Sequence, residues 1–171
     1  VIAECSRLDA SALLVNVSSV QQPGIDALAG IGRDRILSFH TLFGPNAVKE
    51  SGWKGKQMII TMEPKDERAV KILESFVPRE VEMFRMSVAE HDSAMLPHAL
   101  AFLMAELVQV GVEGSDTRFL IPSAQIMLSL PAFTEKGSPE LRRLVLSNPA
   151  LKSVIPRLTA SLQKFSAEHG W

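Results

Sequence analysis

The spacing of apolar residues changes character near the middle of the chain. In the first half, short β-rich apolar runs alternate with helices and loops, and the clearest runs are Ala12–Val17, Arg35–Phe39 and Gln57–Met62. Apolar runs of this length without regular polar alternation are typical of strands that are covered on both faces. The pattern therefore predicts three buried strands, and a shorter run at Val81–Phe84 predicts a fourth strand at a sheet edge.

The segments between these strands are interpreted as helices and loops. A helix is predicted over Ile25–Ala29 and is expected to end at Gly30 and Gly32, because glycine weakens helices. The stretch His40–Gly55 is predicted to be a long loop, because it contains a Gly-Pro-Asn turn signal and further glycines. A helix with an apolar stripe is predicted to follow Pro64.

The second half of the chain has helical periodicity and no convincing strand. Ser87 and Glu90 have capping-box spacing, so a helix should begin there, with Pro97 kinking or interrupting it. Ser138–Glu140 combines an N-cap serine, a proline at the first helical position and an acid in the first turn. The last helix is predicted from an i, i+3, i+4, i+7 apolar stripe between Leu151 and Phe165.

The change of pattern near Met86 predicts two parts. Residues 1–86 form an α/β segment and residues 87–171 form an all-α segment. About 85 residues per part is small for a self-sufficient core, and each striped helix needs a partner. We therefore expect a homodimer that forms through the helical part.

Composition narrows the classes of function. The 171 residues include 18 basic and 19 acidic side chains, a near-neutral balance that argues against nucleic-acid binding and polybasic membrane binding. The single cysteine, Cys5, excludes an intrachain disulfide framework and a cysteine-based zinc site. No apolar stretch reaches the roughly 20 residues of a membrane span. The segment Val1–Asp9 mixes charges into its apolar positions, so no signal peptide is recognised and a cytoplasmic protein is expected.

His40 is the leading candidate for chemistry. It follows the second predicted strand and precedes a Gly-Pro turn, and open α/β sheets bind ligands at the carboxyl ends of their strands. Imidazole titrates near neutral pH and suits proton transfer, although a histidine here could instead hydrogen-bond a loop carbonyl. Ser18 and Ser19 end the first strand, where their hydroxyls contact a substrate oxygen, hold His40 in place or simply close the turn.

A metal site is the weaker interpretation of the remaining histidines. His91 and His98 are seven residues apart, so they would share a helix face, and Asp92 is adjacent. No further well-placed ligand is evident, so no metal site is predicted. The chain also contains no Gly-x-Gly-x-x-Gly, Gly-Lys-[Ser/Thr] or Gly-x-Ser-x-Gly motif.

Five segments, taken in order, resemble the prephenate/arogenate dehydrogenase family. They are Leu14–Val20, Ser38–Pro45, Glu90–Asp92, Leu96–Phe102 and Leu146–Pro149. The resemblance implies the C-terminal part of a Rossmann domain followed by a helical dimerisation domain. It also implies oxidative decarboxylation of prephenate or arogenate in tyrosine biosynthesis, with NAD or NADP as hydride acceptor.

The resemblance also implies roles for particular residues. His40 matches the catalytic histidine that hydrogen-bonds the substrate ring hydroxyl and helps to remove its proton. Ser19 matches the serine that contacts both this hydroxyl and the histidine. Ser18 is expected at the cofactor, and His98 and Asn46 are expected at the substrate.

The chain departs from the family pattern in four ways. The Gly-rich dinucleotide loop is absent, and so is the arginine expected to bind the substrate carboxylate. The stretch from His91 to His98 is about five residues shorter, and Asn16 occupies a position where aspartate is common. We therefore expect a truncated dehydrogenase-like chain; the alternative is a non-catalytic dimeric homologue that binds a small acid or a protein partner.

Overall fold

The computed structural model describes residues 12–114, 118, 120–134 and 138–170. Cys5 and the segment Val1–Asp9 lie outside the described residues. The chain divides into two compact units between His91 and Asp92.

The first unit is an α/β structure built on a four-stranded sheet. Its elements are, in order, β1 (Leu14–Asn16), α1 (Gln21–Gly32), β2 (Ile36–Thr41), α2 (Pro45–Ser51), β3 (Gln57–Met62), α3 (Glu67–Phe76) and β4 (Glu82–Arg85). The strand order is β1-β2-β3-β4; β1 and β2 are parallel, β2 and β3 are antiparallel, and β3 and β4 are parallel. The four predicted strands are therefore present, and β1 and β4 lie at the two edges of the sheet. The expectation that β1 is covered on both faces is wrong, because Val15 is 45% exposed.

The two faces of β2 have different surroundings. Leu37 belongs to an apolar cluster with Met58 and Ile60 of β3 and Leu73 of α3, against which Phe39 also packs. Ser38, the next residue of β2, lies on the opposite face of the sheet. Its hydroxyl is 2.5 Å from Oε1 of Gln21, at the start of α1. Because side chains alternate along a strand, His40 lies on the face of Ser38.

Two further predictions for the first unit are wrong. Helix α1 begins at Gln21, before the predicted start, and continues through Gly30 to end at Gly32, the second predicted stop. It passes Gly30 because Ile25, which is buried, anchors it and outweighs the cost of about 1 kcal/mol per glycine. The predicted loop His40–Gly55 contains α2, in which proline occupies one of the first two helical positions, where its missing N–H costs nothing.

The second unit is all-helical. A short helix, α4 (Val88–Ala94), crosses the division of the chain, and the helices that follow are α5 (Leu96–Gly111), α6 (Pro122–Thr134), α7 (Pro139–Leu146) and α8 (Leu151–His169). Helix α5 contacts each of the three later helices. The core of the second unit is an apolar cluster of Ala99, Phe102, Val145 and Leu151. The predicted α/β segment followed by an all-α segment is therefore confirmed.

The helix starts follow the local signals of the sequence. The Ser87 backbone N–H donates to Glu90 Oε2 at 2.7 Å, and the Glu90 N–H donates to Ser87 Oγ at 3.2 Å, so the capping box is formed. Ser138 Oγ accepts the Leu141 N–H at 3.1 Å. Pro97 falls in the first turn of α5, so it begins a new helix and does not kink a continuous one.

Within the described residues, no single helix is long and apolar enough to cross a membrane. Only α4 and α5 taken together, across a bend of 44°, reach that length and composition.

Candidate functional site

Two histidines of the first unit form the centre of the candidate site. His40 lies next to the end of β2 and is partly buried, whereas His91 lies in α4 and is completely buried. His40 Nδ1 is 3.1 Å from His91 Nε2, and the two rings meet edge to face with centroids 5.3 Å apart. The His91 N–H donates to the Ser87 carbonyl at 2.9 Å, so the capping box sets the turn that carries this imidazole.

The short distance between the two nitrogens fixes the proton count of the pair. A hydrogen bond between two imidazole nitrogens needs one N–H and one lone pair, so a single proton lies between His40 and His91. If His40 Nδ1 donates, its Nε2 carries a lone pair and can accept a proton from a ligand. If His91 Nε2 donates, His40 Nε2 carries a proton and can only donate. The tautomer of the pair therefore decides whether His40 can act as a base.

A buried polar network lies beneath the carboxyl ends of β1 and β2. Asn16 Nδ2 donates to Ser38 Oγ at 2.8 Å and to the Gln21 carbonyl at 3.2 Å. Gln21 Oε1 accepts from Ser38 Oγ at 2.5 Å and from Thr61 Oγ1 at 2.7 Å. Gln21 Nε2 donates to the Phe39 carbonyl at 3.3 Å. This network holds the backbone immediately before His40 in place.

The network explains the asparagine at a position where aspartate was expected. Both N–H donors of the Asn16 amide are used, and one of them donates to a backbone carbonyl. An aspartate carboxylate has no N–H group, so it could not make this hydrogen bond. A Cβ added to Gly24 would lie 2.3 Å from Asn16 Oδ1. Glycine in α1 therefore allows the helix to approach this amide closely.

The two serines after β1 have different surroundings. Ser18 Oγ lies 2.8 Å from Asn16 Oδ1 and 2.7 Å from the Val20 carbonyl, and the Ser18 carbonyl accepts from Gln21 Nε2. Ser18 therefore closes the turn, and its role at a cofactor stays a prediction. Ser19 is partly exposed, and its hydroxyl makes no hydrogen bond within the described residues. Ser19 follows β1, which is parallel to β2, so Ser19 and His40 lie at the same end of these two strands.

The two residues expected at the substrate lie in different units. Asn46 is exposed in the first turn of α2, in the first unit. His98 is in α5, in the second unit, and its ring lies against Phe102 with centroids 5.2 Å apart. Although His98 is exposed, partial burial of its ring lowers its pKa from 6.5. His98 therefore favours the neutral imidazole at neutral pH, a donor and acceptor but not a cation.

The described residues do not form a metal centre, and the link from β1 to α1 does not form a dinucleotide cradle. No three His, Cys, Asp or Glu side chains of the described ranges are close enough to hold a metal ion. The link from β1 to α1, residues 17–20, contains no glycine. A pyrophosphate needs a glycine-rich turn at a helix N-terminus so that backbone N–H groups can approach it. This link therefore does not fit the pyrophosphate of NAD or NADP.

Sequence reasoning found His40 but missed its surroundings. His91 was considered only as a metal ligand and as part of a family segment, and its pairing with a residue 51 positions away has no sequence signal. Ser38 and Thr61 did leave a signal, because each is a hydroxyl residue that directly follows two apolar residues of its strand. A buried hydroxyl needs a hydrogen-bond partner, so two such residues on adjacent strands indicate a polar network.

Comparison with known proteins gives matches in structure only. No protein-family model and no curated protein sequence matches this chain. The fold matches prephenate dehydrogenase from Aquifex aeolicus in complex with hydroxyphenyl propionate and NAD+, with a TM-score of 0.68 and 19% identity over 92% of this chain. It matches a candidate prephenate dehydrogenase from Corynebacterium glutamicum with a TM-score of 0.68 and 17% identity over 89% of this chain. It also matches Synechocystis arogenate dehydrogenase with a TM-score of 0.65 and 17% identity over 99% of this chain.

The match covers nearly all of this chain but only part of its neighbours. The chain spans 59% of the Aquifex chain in that complex, 53% of the Corynebacterium chain and 67% of the Synechocystis chain. The fold-class prediction of a partial Rossmann-like segment followed by a helical domain is confirmed by these neighbours. The resemblance predicted from the sequence segments is thus confirmed in structure: this chain has the fold of the corresponding part of prephenate and arogenate dehydrogenases.

Proposed function

We propose that this chain carries the proton-accepting part of a prephenate or arogenate dehydrogenase active site, with His40 as the base. The observation that carries the proposal is the 3.1 Å contact between His40 Nδ1 and His91 Nε2 at the carboxyl end of β2. The fold shared with prephenate and arogenate dehydrogenases supports the substrate class, an acid with a hydroxylated six-membered ring.

The geometry suggests how the pair acts. In the active tautomer, His40 Nδ1–H donates to His91 Nε2 and His40 Nε2 keeps its lone pair. That lone pair accepts the proton of the ring hydroxyl as the hydroxyl carbon becomes a carbonyl. His91 is a positioning residue: it fixes the tautomer of His40 and accepts a hydrogen bond from the imidazolium that forms.

Other predicted residues complete the proposal. Ser19 donates to the same ring hydroxyl, which suits a side chain without a hydrogen-bond partner within the described residues. Asn46 contacts a polar atom of the substrate, and the role of His98 at the substrate stays a prediction. The NAD or NADP implied by the resemblance finds no pyrophosphate cradle in the β1–α1 link, so the proposal covers proton transfer only.

The proposal includes a homodimer formed through the helical unit. Several apolar side chains of α5, α6 and α8 are exposed: Leu107, Val110, Ile126, Ile155 and Leu162. Exposed apolar area of this kind on helices is typical of a surface that pairs with another copy. Light scattering after size exclusion at dilute concentration should give twice the monomer mass, and a stable monomer would contradict the dimer.

The catalytic role is tested by turnover of prephenate and of arogenate with NAD+ or NADP+ in the full-length protein. His40→Asn should lower kcat by about 10²–10⁴-fold, the usual contribution of a general base, and should lower the melting temperature by no more than the loss of one hydrogen bond to His91 explains. His169→Asn, at an exposed helix end, is the matched control and should leave kcat unchanged. Unchanged turnover in His40→Asn would contradict the role of His40 as the base.

The positioning role of His91 is tested separately by a pair of variants. His91→Leu removes the acceptor and should lower kcat about tenfold with KM unchanged, a cost of about 1.4 kcal/mol in the transition state. His91→Gln keeps an acceptor oxygen and should recover most of this loss. Equal losses in both variants would contradict the positioning role, because the acceptor would then make no difference.

A further inference from the structure

A pocket lies on the face of the sheet opposite His40. It has a volume of about 460 Å³ and is formed between the end of β2, helix α2 and the residues that follow α2; we call it the Trp53 pocket. The side chains that define its chemistry are Thr41, Phe43, Val48, Lys49 and Trp53.

The strand alternation separates this pocket from the candidate active site. Thr41 follows His40 directly in β2, so their side chains point to opposite faces. Phe39 and Phe43 pack against the apolar cluster on the Thr41 side. The proposal below therefore goes beyond the proposed function and does not depend on the chemistry of His40.

The lining of the Trp53 pocket is aromatic and apolar. Phe43 and Trp53 meet edge to face, with centroids 5.9 Å apart and planes at 86°, and 41% of Trp53 remains exposed. A ligand ring can pack against these rings at the usual centroid separations of about 4.5–7 Å. The volume also lies in the range of about 300–1,000 Å³ that is typical of small-molecule sites.

Two polar groups at this pocket have no partner among the described residues. No carboxylate of the described ranges pairs with Lys49, and the Thr41 hydroxyl makes no hydrogen bond there. Lys49 therefore places an uncompensated positive charge at the edge of an aromatic pocket. Small-ligand sites commonly combine an apolar lining with a few polar groups that fix the orientation of the ligand.

We propose that the Trp53 pocket binds a small carboxylate with one aromatic ring. The ring packs against Phe43 and Trp53, and the carboxylate pairs with the Lys49 ammonium. The Thr41 hydroxyl is available to a polar substituent of the ligand. Charge and shape together select this class over aliphatic acids, which lack the ring, and over neutral arenes, which lack the anion.

Fluorescence of Trp53 gives a direct test. In a Trp171→Phe background Trp53 is the only tryptophan, and titration with 3-phenylpropionate should change its emission saturably. 3-Phenylpropanol and hexanoate should bind more weakly, because each lacks one of the two recognised groups. No saturable change with 3-phenylpropionate, or equal binding of 3-phenylpropanol, would overturn the proposal.

Variants locate the binding. Lys49→Met should weaken 3-phenylpropionate binding about fivefold, which corresponds to about 1 kcal/mol for an exposed ion pair. Lys54→Met is the matched control, because Lys54 is exposed next to Trp53 but does not line the pocket, and it should leave affinity unchanged. His40→Asn should also leave this affinity unchanged. Equal weakening in both lysine variants, or loss of binding in His40→Asn, would place the ligand elsewhere and refute the pocket.

Discussion

Replacing Asn16 by aspartate should destabilise the first unit, although the two side chains have nearly the same shape. Asn16 is only 7% exposed, and its Nδ2 donates to Ser38 Oγ and to the Gln21 carbonyl. Asn16→Asp removes both donors and sets a carboxylate oxygen against a carbonyl oxygen that lies 3.2 Å from Nδ2. Two lost hydrogen bonds cost about 2 kcal/mol, and the buried charge adds to this.

Urea unfolding at pH 7, followed by Trp53 fluorescence in a Trp171→Phe background, measures the effect. With a slope of about 2 kcal/mol per molar urea, the midpoint should fall by about 1 M. Asn46→Asp is the matched control, because Asn46 is exposed and makes no hydrogen bond within the described residues; its midpoint should move little.

The loss in Asn16→Asp should depend on pH with a definite sign. The Ser18 N–H and hydroxyl still donate to Oδ1 and lower the pKa of the introduced carboxyl. We expect burial beside the Gln21 carbonyl to outweigh them and to raise this pKa in the folded state above its unfolded value of about 3.9. The folded state then binds more protons, so the destabilisation shrinks as pH falls through the raised pKa and is smallest below about pH 4. A midpoint equal to the unsubstituted protein at pH 7, or a loss that grows on acidification, would refute the role assigned to the Asn16 amide.

Two further predictions test close packing and helix capping. Gly24→Ala should lower the free energy of unfolding by about 1–3 kcal/mol, because the added Cβ would lie 2.3 Å from Asn16 Oδ1. Gly30→Ala, whose Cβ would meet nothing within 4 Å, should stabilise α1 by about 0.5–1 kcal/mol. Equal urea midpoints for the two variants would contradict both predictions. The Ser87 backbone N–H and hydroxyl lower the pKa of Glu90 below 4.5, so its stabilising contribution is present above pH 4.5 and is lost as pH falls through the lowered pKa. Ser87→Ala should raise the pKa of Glu90 toward 4.5 in an NMR titration, and an unchanged titration would show that the hydroxyl contributes nothing.

Local signals in the sequence correctly predicted much of the secondary structure. The Ser87 capping box and the Ser138 N-cap were found because a cap needs only residues three positions apart. His40 was identified because a strand end followed by a turn is also a local pattern. The helix α2 was missed because a Gly-Pro-Asn signal starts a turn and a helix equally well. Helix α1 extends through its glycines because the buried Ile25 anchors it, an effect that local propensity does not contain.

The sequence by itself determined the presence of four strands, the change to an all-α segment and the position of a candidate base. Only the tertiary structure brought His91 within 3.1 Å of His40 and showed that Asn16 uses both amide donors. Helix capping and apolar periodicity involve residues only three or four positions apart, so both can be recognised from the sequence alone. A hydrogen bond between residues 51 positions apart depends on how the sheet and α4 pack, and packing depends on the whole unit.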